Sequence, residues 1–339
     1  MYDTAICIGR FEPVHNGHLA LLRRALDSAP QVIVVLGSAW QARSLKNPFT
    51  WQEREAMLRA ALPAAANARV QTLAVRDHYN EALWVNAVRQ GVARITAGGT
   101  RTALVGHFKD ATSSYLDAFP GWELIPVPRQ GRIDAAAIRD AYFGATPDTV
   151  RPALAPLADE IPPSTLAALE RFAQTPQYPA LQEDWRMLRG CRQSCTPVFV
   201  AVGAVLRCQD QVLLMRRASA PGKGLLAVPE GCIAPRETVW QSCLRALREE
   251  ARCTLPEAAL RAAFRSMAVF DHPERSQRGR TLAHAHYFDL GTSAFPTAQT
   301  GDAALQLQWT PIVQLAAMEE EFFEDHFHIL DHFLSITTG

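Results

Sequence analysis

No run of apolar residues approaches the roughly 18–20 that a membrane span needs, so the chain of 339 residues is not expected to cross or sit in a membrane. Charge of one sign is missing too: 34 basic residues stand against 34 acidic ones. Without a net positive field nothing drives non-specific attraction to nucleic acid, and no nucleic-acid partner is expected. Cysteine is scarce and does not pair up. There are seven, an odd number, and although Cys191 and Cys195 are close, no second pair or nearby histidine completes a zinc set. They read as reduced thiols in a cytoplasmic protein. Repeats and low-complexity tracts are absent. An apolar run that reads as a core strand begins at Ala5, so no secretion signal is expected. What remains is ordinary globular composition, 48% hydrophobic and 20% charged, at a length that favours two domains.

The first half alternates strands and helices. Ala5–Ile8, Gln31–Gly37, Val70–Val75, Arg101–Gly106 and Leu124–Val127 are strand-like; Gln52–Leu62, Glu81–Val92 and Asp134–Phe143 are helix-like. Such alternation predicts an α/β fold, a doubly wound parallel sheet with helices on both faces. Ligands then bind beyond the carboxyl ends of the strands. Prolines 147, 152, 156, 162 and 163 mark a linker, Ser164–Phe172 is helix-like, and the boundary is set near 176, giving domains 1–176 and 177–339. The second half predicts an α+β arrangement. It has a hairpin, Val198–Arg207 and Gln211–Arg217 around Cys208-Gln209-Asp210, a helix Val239–Ala251, a strand Leu282–Leu290 and an amphipathic C-terminal helix Glu319–Leu334.

The densest chemistry lies at 9–18, Gly-Arg-Phe-Glu-Pro-Val-His-Asn-Gly-His. It follows the first strand and precedes Leu19, Leu22 and Leu26, one face of a helix. Unpaired N–H groups at a helix start make a phosphate site. His15 and His18 can address the same anion, and Gly17 lets a phosphate approach the backbone. These features suit nucleotidyl transfer, in which a phosphate oxygen attacks the α-phosphorus of a nucleoside triphosphate and positioning and charge stabilisation carry the catalysis. The H-x-G-H pattern resembles the nucleotidylyltransferase superfamily, which shares it with class I aminoacyl-tRNA synthetases; the neutral charge balance weakens the synthetase reading.

Further stretches narrow the resemblance. They are Gly37-Ser38-Ala39 with Arg43, Asn47-Pro48-Phe49-Thr50 with Glu53-Arg54, Asp77 with Asn80 and Trp84-Val85, and G-H-F-K-D-A-T-S-S-Y-L-D-A-F-P-G-W over 106–122. Together they resemble the archaeal-type nicotinamide mononucleotide adenylyltransferases, and more closely the bacterial proteins that fuse that enzyme to a Nudix domain. The resemblance implies that His15 and His18 contact the ATP phosphates and that Gly9, Phe11 and Gly17 shape the nucleotide site. It places Arg10 between the ATP and mononucleotide phosphates, and Asn80 and Trp84 on the nicotinamide. An indole face attracts a planar cationic ring; a core tryptophan is the plainer reading of Trp84. Arg43 and Arg54 are phosphate candidates or surface charges paired with Glu53 or Glu55. The family's late I-S-x-T-x-x-R segment here reads Ile133-Asp134-Ala135-Ala136-Ala137-Ile138-Arg139. Arg139 is kept as a catalytic phosphate ligand, while Asp134 is expected to cap a helix and to repel phosphate.

Residues 231–253 follow a Nudix box, with Gly231, Glu237, Arg245, Leu247, Glu249 and Glu250 in place. Carboxylates on one helix face can hold Mg²⁺ against a diphosphate, so Glu237, Glu249 and Glu250 are the metal candidates. Ala246 replaces a box glutamate and Arg252 the box glycine. Glu230, new in the preceding loop, is a candidate substitute carboxylate. Residues 270–281 and 322–327 resemble the adenylyltransferase-fused Nudix proteins, which cleave ADP-ribose, and also Nudix-type regulators that bind it uncleaved. Arg275, Arg278 and Arg280 would then meet ADP-ribose phosphates; otherwise they form a solvated basic loop. His326, His328 and His332 read as a solvated helix face rather than a metal site. The expectation is therefore an enzyme joining ATP and nicotinamide mononucleotide, with Mg²⁺, to a degenerate Nudix module that hydrolyses ADP-ribose or senses ADP-ribose or NAD. A transferase for another phosphate acceptor is the outside reading. The sequence leaves a homo-oligomer open.

Overall fold

The computed structural model describes residues 2–78, 80–96, 101–106, 118–128, 134–193, 198–292, 294–301 and 304–337, with backbone alone over 191–193. Residues 107–117 of the 106–122 stretch, Ile133 and Cys195 lie outside them. The chain divides into two compact units, Met1–Gln182 and Glu183–Gly339. No helix among the described residues is long and apolar enough to cross a membrane. The cysteines Cys7, Cys208, Cys243 and Cys253 are buried and unbridged.

The first unit runs β1 (Thr4–Gly9), α1 (Asn16–Ser28), β2 (Gln31–Leu36), α2 (Trp51–Ala61), the short α3 (Ala64–Asn67), β3 (Val70–Ala74), α4 (Glu81–Thr96), β4 (Thr102–Gly106), β5 (Glu123–Pro126) and α5 (Ala135–Phe143). Its sheet is parallel throughout, in the order β3-β2-β1-β4-β5, with Ile6 opposite Ile33 and Leu104. Its inner strands β1, β2 and β4 are buried along almost their whole length, which requires cover on both faces, and are mostly apolar. Ile6, Ile33, Val35 and Leu104 share one core with Val88 and Val92 of α4. The carboxyl ends of β1 and β2 meet through the Gly37 N–H to Gly9 O bond, 3.0 Å.

The proline-rich stretch is not a linker. It folds into 3₁₀ turns at Pro147–Thr149 and Ala155–Glu160, α6 (Val150–Leu154) and α7 (Pro163–Ala173). Pro147, Pro156 and Pro163 sit in first turns, where their missing N–H costs nothing. Val150, Leu154, Ile161 and Leu169 are buried. Tyr142 donates its hydroxyl to Leu169 O at 2.8 Å, and Tyr178 to Tyr142 O at 2.6 Å. α8 (Gln177–Gln193) follows.

The second unit has β6 (Phe199–Cys208), β7 (Gln211–Arg217), β8 (Leu226–Ala227), β9 (Glu230–Cys232), α9 (Val239–Glu250), α10 (Glu257–Ala263), β10 (Phe264–Phe270), β11 (Thr281–Asp289), β12 (Ala304–Pro311) and α11 (His326–Leu334). The main sheet order is β10-β11-β6-β7-β12, with β8 on β7 and β9 on β6. β6 and β7 form the expected hairpin; Gln209 turns it at φ 55°. β10 and β12 escape a sequence reading because both are edge strands with a register shift that breaks the alternation. Cys243, Leu244 and Leu247 of α9 pack on Val202, Ala204 and Leu206 of β6.

The C-terminal expectation needs correcting. Glu319–Glu321 is a 3₁₀ turn separate from α11. His326 and His328 are buried rather than solvated. Apolar Phe327, Ile329 and Leu330 beside them are core as well, so this helix start is covered all round.

Candidate functional site

The turn from β1 into α1 carries the histidines. His18 N–H bonds His15 O at 2.9 Å, and His15 N–H donates to His18 Nδ1 at 3.2 Å. An Nδ1 that accepts leaves the proton of a neutral ring on Nε2, so His18 keeps its N–H donor at Nε2. The two rings lie 3.8 Å apart. Burial holds His15 down to about 4, and burial with the neighbouring ring holds His18 well below the usual histidine range. Both are neutral donors at neutral pH. Phe11 takes φ 58° and sets its ring 4.6 Å from that of His18. A Cβ on Gly9 would come to 3.1 Å from the Phe11 ring, so glycine there allows the fold-back. Gly17 lies in the first turn of α1, and half-buried Arg10 directly follows β1.

Around this corner the arginines take different parts. Arg139 donates to Glu12 O at 2.6 Å, which fixes α5 against the turn. Asp134 caps α5 through the N–H groups of Ala136 and Ala137, at 2.9 and 3.1 Å, as expected. Arg43 is paired bidentately with Glu53, at 2.7 and 2.9 Å, and lies over Phe172. The phosphate role for Arg54 is overturned: it is wholly buried and paired with Glu12. Sequence reasoning passed over Glu12, because its partner is remote in the chain and only the fold brings them together. Asp77 accepts from Ser38 N–H and Oγ and from Gln41 Nε2, joining the ends of β2 and β3. Asn80 Oδ1 accepts the Leu83 N–H at 3.1 Å and so caps α4. Trp84 is partly buried at the edge of the core, edge-on to Phe119 with centroids 5.8 Å apart.

In the second unit Thr238 and Gln241 form the capping box that starts α9. Glu237 binds Arg245 Nε and accepts from Ser242 Oγ at 2.7 Å, while Glu249 takes Arg245 Nη1 at 2.9 Å. One oxygen of Glu250 is buried. Among the described residues no three histidine, cysteine or acidic side chains stand together as metal ligands. Ala246 is fully buried, and a Cβ on Gly231 would lie 3.4 Å from its own. The residues present therefore do not make a metal centre. Glu230 does not replace the missing carboxylate. Neighbours along a strand point to opposite faces, so with Gly231 toward Ala246, Glu230 turns toward Arg278 at 3.6 Å and His326 at 3.8 Å. The arginines of 275–280 do not form a solvated loop. Arg275 is buried on Asp325 at 2.7 Å, Arg278 reaches Glu324 at 3.1 Å, and Arg280 donates to Asp271 O.

A cytidylyltransferase-like family model matches residues 6–88, and a NUDIX domain model matches residues 197–333. The nicotinamide/nicotinic acid mononucleotide adenylyltransferase of Acinetobacter baylyi is 33% identical over 186 residues, covering 55% of this chain and 94% of that protein. The chain belongs to the nicotinamide-nucleotide adenylyltransferase family. Another family member, from Thermococcus onnurineus, is 32% identical over 151 residues, 43% of this chain and 76% of that one. A crystal structure of a bifunctional NMN adenylyltransferase/ADP ribose pyrophosphatase from Francisella tularensis, complexed with AMP and a Mn ion, is similar over 99% of each chain, with 27% identity and a TM-score of 0.90. The resemblance read from the motifs is borne out, and so is the pairing of a parallel-sheet adenylyltransferase fold with a Nudix fold.

A buried histidine of the second unit is expected to make folding pH-dependent. His326 Nδ1 accepts the Val228 N–H at 3.1 Å, and burial holds the ring down to about 3. A depressed histidine stays neutral in the fold while the unfolded chain takes up a proton. Its stabilising effect is complete above the unfolded value near 6.5 and is lost as pH falls from there toward 3, at about 1.4 kcal/mol per pH unit. The urea midpoint is expected to drop between pH 7 and pH 5. His326→Gln, whose amide oxygen can accept the same N–H, should flatten that drop; an unchanged slope would contradict the assignment.

Proposed function

We propose that the first unit transfers the adenylyl group of ATP, as its Mg²⁺ complex, to nicotinamide mononucleotide, and that the second unit binds ADP-ribose with little hydrolysis. An oxygen of the mononucleotide phosphate attacks the α-phosphorus of ATP. The bond from that phosphorus to the bridging oxygen breaks, and pyrophosphate leaves with the electron pair. No side chain becomes covalently bound. His18 Nε2–H and His15 donate to the phosphate oxygens where charge builds up, and they do so from fixed positions, so little reorganisation is needed. Arg139, already anchored on Glu12 O, brings a positive charge to the same corner. The first turn of α1 adds the backbone N–H groups of Asn16 and Gly17. Arg10 and Arg43 are the further phosphate candidates, Arg43 on exchanging Glu53 for phosphate. Trp84 and Asn80 would receive the pyridine ring and its carboxamide.

The observation that carries this reading is the bond from His15 N–H to His18 Nδ1, which sets the tautomer that a phosphate needs. Pyrophosphate release by the intact chain, given ATP and nicotinamide mononucleotide, tests it; no release would sink it.

For the second unit, similarity to the Francisella ADP ribose pyrophosphatase supports the ligand class. The apolar Ala246 and the engagement of Glu237 and Glu249 by Arg245 support binding over cleavage.

A further inference from the structure

One charge pair beside the imidazole corner is closed off from solvent. Arg54 of α2 and Glu12 have side chains 0% and 1% exposed and meet at 3.1 Å. Arg54 is also the hub of a backbone network. Its Nη1 donates to Arg10 O at 2.6 Å and Gly37 O at 2.8 Å, and its Nη2 to Ser38 O at 3.3 Å. These carbonyls sit just past the carboxyl ends of β1 and β2, where an open parallel sheet binds its ligand. Glu12 completes the arrangement. Its Oε2 accepts the Phe49 N–H at 3.1 Å, and its backbone oxygen holds Arg139. The segment Arg10-Phe11-Glu12 is thus tied to α2, to the end of β2 and to α5, with Phe11 in the left-handed region against His18.

A buried ion pair is a poor way to gain stability, since desolvation offsets most of the attraction, and well-packed apolar residues often do as well. What a planar guanidinium does supply is several donors in fixed directions. We propose that the Glu12–Arg54 pair is a positioning element that sets His15, His18 and Arg139 in register for adenylyl transfer. The inference rests on the reading of the first unit as a transferase. Neither residue touches substrate; both act through the backbone that carries those three side chains.

The test uses the full chain with ATP and nicotinamide mononucleotide. Glu12→Gln keeps an acceptor for the Phe49 N–H but leaves Arg54 without a counter-charge. Arg54→Lys keeps the charge but cannot span three carbonyls. Each is expected to lower kcat by about 10²-fold with KM for the mononucleotide within about threefold, the mark of misplaced rather than missing groups. The imidazole Cε1–H resonances of His15 and His18 should move in both variants, a readout that needs no turnover. Wild-type kcat with unmoved resonances in a folded variant overturns the proposal. Failure of both variants to fold assigns the pair to stability alone and overturns it equally. If the unaltered chain makes no NAD, the transferase reading itself falls instead.

Discussion

His18→Ala is expected to lower kcat for NAD formation by about 10²–10³-fold, the usual effect of removing one preorganised donor to a developing oxyanion. KM for nicotinamide mononucleotide should change little, because the lost interaction strengthens only as charge builds at the reacting phosphorus. The size follows from the geometry. His18 is locked by His15 N–H at Nδ1, flanked by Phe11 and kept neutral by burial, so water cannot reproduce the donor's placement once the ring is gone. The substitution also removes the acceptor for His15 N–H, which loosens the α1 cap. A circular-dichroism melt separates that effect from catalysis. Turnover near that of the unaltered chain would contradict the role given to His18.

The second large effect is a gain. Ala246→Glu in the intact protein is expected to raise ADP-ribose hydrolysis with Mg²⁺ by about 10²-fold, read as AMP and ribose phosphate released. Position 246 is fully buried, and Gly231 beside it carries no side chain to stand against a larger residue there. A carboxylate there would stand on the helix that already carries Glu249 and Glu250 and give the set its missing member. The gain comes with a loss of stability, since a buried carboxylate without metal is costly, and added Mg²⁺ should recover part of the melting temperature. Rapid hydrolysis by the unaltered chain would sink the binding-only reading. No gain in a folded variant would show that the missing carboxylate is not what limits cleavage.

Much of the first unit was legible in the sequence because a parallel sheet covered on both faces writes itself as apolar runs, and Asp134 announced its cap by residue type. Other features needed the third dimension. Arg54 looks like any surface arginine until Glu12 is brought against it. The prolines at 147–163 resemble a linker, and only the burial of Val150, Leu154 and Leu169 shows that they start packed helical turns. His326 and His328 sit among acidic residues in sequence, yet the fold covers them. Glu230 appeared placed to serve the box helix; its pairing with Gly203 on β6 decides which face it takes, and that face belongs to Arg278. In each case residue type gave the chemistry, while the partner lay far away along the chain.

The measurement that tests the central claim most directly is an acceptor panel on the intact protein, with ATP as donor and pyrophosphate release as the signal. Nicotinamide mononucleotide, its nicotinic acid form, pantetheine phosphate, flavin mononucleotide and a sugar phosphate would be compared by kcat/KM. The account predicts that the pyridine mononucleotides lead and that NAD forms in step with pyrophosphate. Preference for any of the other acceptors would contradict it.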